Sequence, residues 1–346
     1  MQQQLLSRRY ISRGIIVLLL GVSLALAGCQ LSGAGGQQAA QLPITQFAVP
    51  GAQESLGGIT AGPDGNLWFT LGYPSNQIGR ITPDGKITTF AVPTPYGSPL
   101  GITAGPDGNL WFTENWRNQL GRITPQGTIT EFPLPGSLLS DKEPAGITTG
   151  PDGNLWFVEW KDNQIGRMTP TGVVTEFDIP IPNGNPSDIT VGPDGNLWFT
   201  EQFWSKIGRI TPAGAITMFP VPRNSQFPQD ITAGPDGALW FTLNSSQIGR
   251  ITLQGKITEF AVPPYQDAFG RSDPQNPWGI TVGPDGQIWF SVEGAIGSIT
   301  SQGTITEIAV PLPTGPGIEL TAGPNHTLWF TQPLGNWIGR ITLPGK

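Results

Sequence analysis

From Leu42 onward, apolar and polar positions alternate in runs of four or five residues, each closed by a cluster of Gly, Pro, Asp or Asn. Alternation at period two between turn residues predicts β-strands. The runs recur in a fixed order, seen cleanly from Gly101 to Phe132. A GIT-like run, strand a, leads into a Gly-Pro-Asp-Gly turn. An LWFT run follows as strand b, then an IGRIT run as strand c, a Thr-Pro-x-Gly turn, and an ITEF run as strand d. Gly in each turn supplies the positive φ of a tight hairpin, and Pro and Asp pre-set the residues before it. The Asp of these turns is therefore expected to serve as a turn former.

The strand b tryptophans, Trp68, Trp111, Trp156, Trp198, Trp240, Trp289 and Trp329, are 43, 45, 42, 42, 49 and 40 residues apart. That is the length of a four-stranded propeller blade, so the expectation is all-β: a seven-bladed β-propeller. The first d-type run, Ile44 to Phe47, precedes any a strand, and the chain ends after a c-type run, Ile338 to Thr342. The N-terminal strand should therefore complete the last blade. Phe47 is expected to be buried there, and an Asp in its place would be a buried charge with no partner.

Comparing the units with one another separates two faces. The a-b and c-d turns barely change, whereas the b-c and d-a connections vary in length and content and lie on one end of the ring. Variable loops on a rigid scaffold are where binding concentrates. Aromatic residues outside the LWF and d-strand sets fall in these connections: Trp116, Trp160, Trp204, Trp278, Trp337, Tyr73, Tyr96, Tyr265, Phe203, Phe227 and Phe269. Packing of the loops against one another is one reading of each. For the set, a binding surface for a small-molecule, peptide or carbohydrate ligand is the expectation. Trp278, Trp160, Trp204, Trp116, Trp337 and Tyr265 are its candidate residues. Acids accompany them. Asp188, Asp230 and Glu319 stand just before the apolar pair of strand a, where other blades have Gly, and should rim the channel; together their oxygens suit a hard cation. Glu114, Glu159 and Glu201 follow strand b in consecutive blades, with Glu293 near the same place in another, and are expected to point into the same mouth.

The first 28 residues differ from the rest. Arg8, Arg9 and Arg13 precede an apolar run from Ile15 to Ala27, and no acid occurs before Cys29. That pattern reads as a signal peptide. Leu26-Ala27-Gly28-Cys29 resembles the lipobox of bacterial lipoproteins, and Cys29 is the single Cys, so it has no disulfide partner within the chain. Residues 1–28 are thus expected to be a leader, 29–42 a lipidated Cys with a flexible tether, and 43–346 the propeller, exported, anchored to a membrane outside the cytoplasm, and monomeric. Loss of the leader removes three arginines and leaves 15 basic against 25 acidic residues. A chain near −10 lacks the basic face that nucleic acid requires.

The phrase PDGNLWFTE, followed by NQIGRITP and ITEF, resembles the streptogramin lyase family, typified by virginiamycin B lyase, across all seven units. The resemblance implies elimination at the ester of a cyclic depsipeptide with a divalent metal, normally Mg²⁺. It also implies two histidines at PHGIT-like starts of a strands and a glutamate after a b strand. The corresponding starts here carry Leu100, Ala145, Ser187, Gln229, Trp278 and Ile318, and the single histidine, His326, sits in an a-b turn on the other face. By comparison with the family's last unit, Glu293 keeps the acid while Trp278 replaces the base. No HExxH, nucleophile elbow, P-loop or Cys/His cluster offers another catalytic arrangement. A binding or interaction role is therefore preferred, with a lyase, or a lactonase or hydrolase of propeller type, as the alternative.

Overall fold

The computed structural model describes residues 42–51, 55–136, 142–222, 227–266, 272–310 and 318–344. The leader, Cys29 and the tether lie outside them, as does Phe269. No helix among the described residues is long and apolar enough to cross a membrane.

The described strands form seven four-stranded antiparallel sheets and one small hairpin in the 261–277 connection. Blades 1 to 6 are consecutive: 56–91, 99–133, 144–178, 186–220, 228–261 and 280–309. Blade 7 takes three strands from the C-terminus and its outer strand, Ile44–Ala48, from the N-terminus, with Ile44 opposite Ile341 and Phe47 opposite Ile338. The seven-bladed ring and its closure are thus as the repeat order predicts. Closure leaves no blade with an unpaired outer partner.

Six of the seven sheets are held by the same set of side chains, blade 6 lacking the strand c arginine and the strand d Phe. Strand b tryptophans are at most 4% exposed. In most blades the indole stacks on the Phe of strand d, as in Trp156–Phe177 (5.6 Å, 11°) and Trp198–Phe219 (5.4 Å, 15°). An arginine from strand c lies over both rings and reaches the neighbouring blade. Arg167 sits 5.5 Å from the centroids of Trp156 and Phe177 and donates from Nη1 to the Pro212 carbonyl at 2.9 Å. At the ring closure Arg340 does the same over Phe47 and Trp329, donating to Pro83 at 2.7 Å.

The turn aspartates have a second task. Asp107 accepts the Trp111 indole N–H at 3.1 Å as well as the Asn109 backbone and side-chain N–H groups. Five further blades repeat the indole bond through Asp64, Asp152, Asp194, Asp236 and Asp285. Blade 7 reads Asn325-His326 at this turn, and there Thr327 Oγ1 accepts the Trp329 indole at 2.8 Å instead. A buried indole N–H needs an acceptor, and the turn residue supplies it.

Phe47 is only half-buried, and the Arg340 guanidinium lies 5.3 Å from its ring. An Asp there would meet a cation, so the expected unpartnered charge is corrected. Phe47→Ala is the cleaner probe of closure. It removes the 5.5 Å stack on Trp329 and should lower unfolding free energy by about 2 kcal/mol, less than the 3–5 of a fully buried Phe. An unchanged denaturation midpoint would show that the N-terminal strand is not needed for closure.

Candidate functional site

A cavity of about 450 Å³ opens at the mouth of the central channel. Its walls are the starts of the a strands, and two local features aim residues into it. In blades 1 to 5 the pairing of strands a and b slips by a bulge, between Pro99 and Ile102, Pro144 and Ile147, Pro186 and Ile189, and Pro228 and Ile231 among others. A bulge frees its residues from the ladder and turns them out of the sheet. The freed pairs, Leu100-Gly101, Ala145-Gly146, Ser187-Asp188 and Gln229-Asp230, line the cavity.

The second feature is a hydroxyl near the end of strand b that ties adjacent a strands together. Thr113 Oγ1 accepts from the Gly101 N–H at 2.9 Å and donates to the Ala145 carbonyl at 2.9 Å. Thr200 likewise donates to Gln229, and Ser291 to Ile318. Thr242 donates to the Trp278 carbonyl at 2.7 Å, while the Trp278 N–H donates to Ser291 O at 3.0 Å. Trp278 is therefore held on a fixed backbone with its half-buried side chain at the cavity.

The walls are chemically divided. Blades 1 to 3 supply Leu56, Ile59, Leu100, Ile102, Ala145 and Ile147. Blades 4 to 7 supply Ser187, Asp188, Gln229, Asp230, Trp278 and Glu319, and no lining residue is a Lys, Arg or His. The carboxylates also brace the ring: Asp188 accepts the Ile231 N–H at 3.1 Å and Asp230 the Ile280 N–H at 2.8 Å, each from the next blade. Burial, then the neighbouring Asp188, pushes Asp230 well above the usual carboxylate range. Burial, again with Asp188 alongside, holds Glu319 at about 7. Like charges crowded in a low-dielectric space keep protons.

The three acids thus meet in one cavity, yet no group of three or more His, Cys, Asp or Glu among the described residues is arranged to hold a metal. Two of the carboxylates already spend an oxygen on backbone N–H groups. A Mg²⁺ site at Asp188, Asp230 and Glu319 does not fit this geometry.

The remaining candidates lie elsewhere. Trp116 (49% exposed), Trp204 (46%) and Tyr265 (52%) stand open on the loops outside the cavity lining. Trp160 is half-buried and Glu293 exposed, also outside it. Trp337 is core, 7% exposed and edge-on to Phe330 at 5.6 Å. Glu159 and Glu201, like Glu114, do not reach the mouth: they are fully buried. Period two puts Glu114 on the face of strand b that carries Leu110 and Phe112, between blades. His326 is exposed in its a-b turn. The sequence carries no signal for the bulges, which leave strand composition unchanged. The Thr at the fourth position of the LWFT run was the visible trace of the tie between a strands.

A model of the virginiamycin B lyase family matches residues 42–269 and 265–346. The solved structure of a streptogramin B lyase superposes with a TM-score of 0.81 at 34% identity, covering 89% of this chain and 100% of that one. Selenomethionine-substituted virginiamycin B lyase from Staphylococcus aureus superposes at 0.79 with 38% identity, over 88% and 100% of the two chains. A catalytically inactive histidine-to-alanine variant of the S. aureus enzyme, solved with quinupristin, also matches, at 37% identity and a TM-score of 0.79 over the same shares. A virginiamycin B lyase of Bordetella parapertussis is 49% identical over 47 residues, 14% of this chain and 15% of that protein. The chain therefore aligns with only a small part of the length of such curated relatives.

The raised Glu319 carboxyl has a pH signature. A folded value of about 7 against 4.5 in the open chain means that folding favours the protonated form. Its stabilisation is full below pH 4.5 and is lost as pH rises through 7. Glu319→Gln should melt like the parent at pH 4.5 and higher than the parent at pH 8. An equal difference at both pH values would sink the assignment.

Proposed function

The chain belongs to the virginiamycin B lyase family, and we propose that it is a ligand-binding member that takes a small molecule, peptide or carbohydrate into the mouth of its channel. The observation that carries this reading is the divided cavity, apolar on the side of blades 1 to 3 and acidic, with Trp278, on the other. A concave site with an apolar body and a few converging polar groups is the form of most small-ligand sites. The histidine chemistry implied by the family has no counterpart in the cavity, because the chain's one histidine, His326, lies in an a-b turn.

A second reading has one observation in its favour. A carboxyl kept protonated to about neutrality, such as Glu319, has the proton affinity of a general base near pH 7. An elimination driven by a cavity carboxylate would then be the surviving activity. Quinupristin separates the two. Incubated with Mg²⁺ and the purified propeller, it should keep its ring closed in a chromatographic assay. Linear product, lost in Glu319→Gln, would establish the second reading in place of the first.

For binding, Trp278→Ala should weaken quinupristin, or any ligand a thermal-shift screen identifies, by at least about tenfold, as expected for a central aromatic anchor. His326→Ala should leave affinity unchanged. Equal losses from both changes would remove the site from the channel mouth.

The protein is further proposed to work from a membrane, held by a lipid on Cys29 through the Gly- and Gln-rich segment that follows it. Cys29→Ser should be exported but recovered in the soluble fraction. Sedimentation of that variant with membranes at high salt would require another anchor.

A further inference from the structure

In blades 2, 3 and 4 the residues just before strand a fold over the end of that blade's strand b, held by matching backbone bonds. The Trp116 N–H donates to the Gly97 carbonyl at 3.1 Å, Lys161 to Lys142 at 3.2 Å, and Phe203 to Gly184 at 2.9 Å. Directly beneath lies the last residue of strand b: Glu114, Glu159 or Glu201, each without exposed surface.

The three slots differ at the residue two before the proline that opens strand a. It is Lys142 before Pro144, but Gly97 before Pro99 and Gly184 before Pro186. In blade 3 the Lys142 ammonium drops into the slot and meets Glu159 at 2.7 Å, Glu176 at 3.1 Å and Asp162 at 3.4 Å. In blades 2 and 4 a glycine sends no cation. A Cβ on Gly97 would come within 2.5 Å of a Glu114 oxygen, and one on Gly184 would run into the Glu201 carboxyl, so the loop backbone rests on the acid itself.

Neither oxygen of Glu201 has a hydrogen-bond partner; the charged group facing it is Lys206, directly opposite on strand c. Glu114 accepts from Gln119 Nε2 at 2.8 Å on one oxygen and has no partner on the other. The charged groups facing it are Glu131 of strand d and Arg117 of the b-c loop. Glu131 is itself tied to the same loop, accepting from the Thr94 N–H and hydroxyl.

We propose that the loops over Glu114 and Glu201 are a pH-gated rim, packed down while those carboxyls are protonated and lifted when they ionise, whereas the backbone at Lys142 and Glu143 stays closed. An ionised carboxylate sealed from water without a partner costs more free energy than opening a short surface loop. Burial pushes Glu114 up to about 8 and Glu201 to about 7, which places both transitions in the neutral range. In blade 3, burial also raises Glu159 to about 7, but the ammonium 2.7 Å away gives its ionised form a partner inside the slot. The gated loops carry aromatic surface. Tyr96 belongs to the first and stands 6.3 Å from Tyr73, which is itself 5.0 Å from Trp116. Pro182 belongs to the second and accepts the Trp204 indole N–H at 2.8 Å. Lifting the loops would therefore break up the exposed aromatic rim on that side of the mouth.

The test is amide hydrogen exchange of the propeller at pH 5.5 and 8.5, corrected for the intrinsic pH dependence of exchange. Protection at Trp116 and Phe203 should fall by roughly tenfold or more at the higher pH, while Lys161 keeps its protection. In the Glu114→Gln, Glu201→Gln double variant, whose slots hold neutral groups of the same size, the fall should disappear. Lys142→Met should add Lys161 to the pH-sensitive set. A fall of the same size at all three amides in the parent, or one that survives in the double variant, would overturn the proposal.

Discussion

The hydrogen bond from each strand b indole to the turn before it is the interaction on which the rest of this ring depends. It fixes the depth of the largest side chain in the blade. The strand d Phe can then stack on that indole, and the strand c arginine can lie across both and reach the next blade. One polar contact in a turn is thereby converted into a contact between blades. Blade 6 keeps the indole bond, from Trp289 to Asp285, but lacks the stack and the arginine. It carries Ser298 in place of the arginine and Ile308 in place of the Phe. Arg250 of blade 5 then turns back onto Asp236 at 2.7 Å in its own blade, and a cleft of about 300 Å³ opens between blades 5 and 6.

A scaffold made rigid at its outer strands leaves the inner ends of the a strands free to carry function. In blades 1 to 5, bulges release two residues per blade from the ladder there, and the strand b hydroxyls hold the backbone at a set spacing. Side chains at those positions can vary without disturbing the sheets. Gly, Leu, Ala, Ser, Gln and Asp all occur among them, and Trp278 and Glu319 stand at the corresponding places of blades 6 and 7. The lie of the mouth is thus set by the repeat, and its chemistry by residues the repeat does not constrain.

This division decides what could be read from the sequence. Trp spacing and turn chemistry fix the number of blades, and the misplaced Ile44 to Phe47 strand fixes how they close, because both follow from local pattern. The second task of the turn aspartates was hidden. Asp107 and Trp111 sit at a spacing that a turn alone would also produce, and only blade 7, where Thr327 takes over, reveals the need for an acceptor. The glutamates ending strand b were assigned to the mouth because they adjoin variable loops. The pleat sends them between blades instead, a consequence of period two that Leu110 and Phe112 on the same face already indicated. Trp337 misled in the same way: it opens a c strand, so its ring belongs to the sheet. Asp188, Asp230 and Glu319 were legible as channel residues, since their glycine counterparts in other blades mark where side chains enter the channel.

Those three acids are the point where local rules and the fold disagree. A propeller needing only stability would keep glycine or a neutral residue at these positions, as blades 1, 2, 3 and 6 do with Gly58, Gly101, Gly146 and Gly279. Here, carboxyls in adjoining blades face one another with no Lys, Arg or His in the lining, and their mutual repulsion is relieved only by retained protons. The N–H groups that Asp188 and Asp230 accept from the next blade recover part of that cost. A neutral Asn would accept them equally well, so bracing alone does not account for the charge. Uncompensated charge beside a pinned tryptophan is the kind of local conflict that folded proteins retain at working sites. The ligand proposed for the channel would therefore account for the cavity's acidic side, which bracing does not.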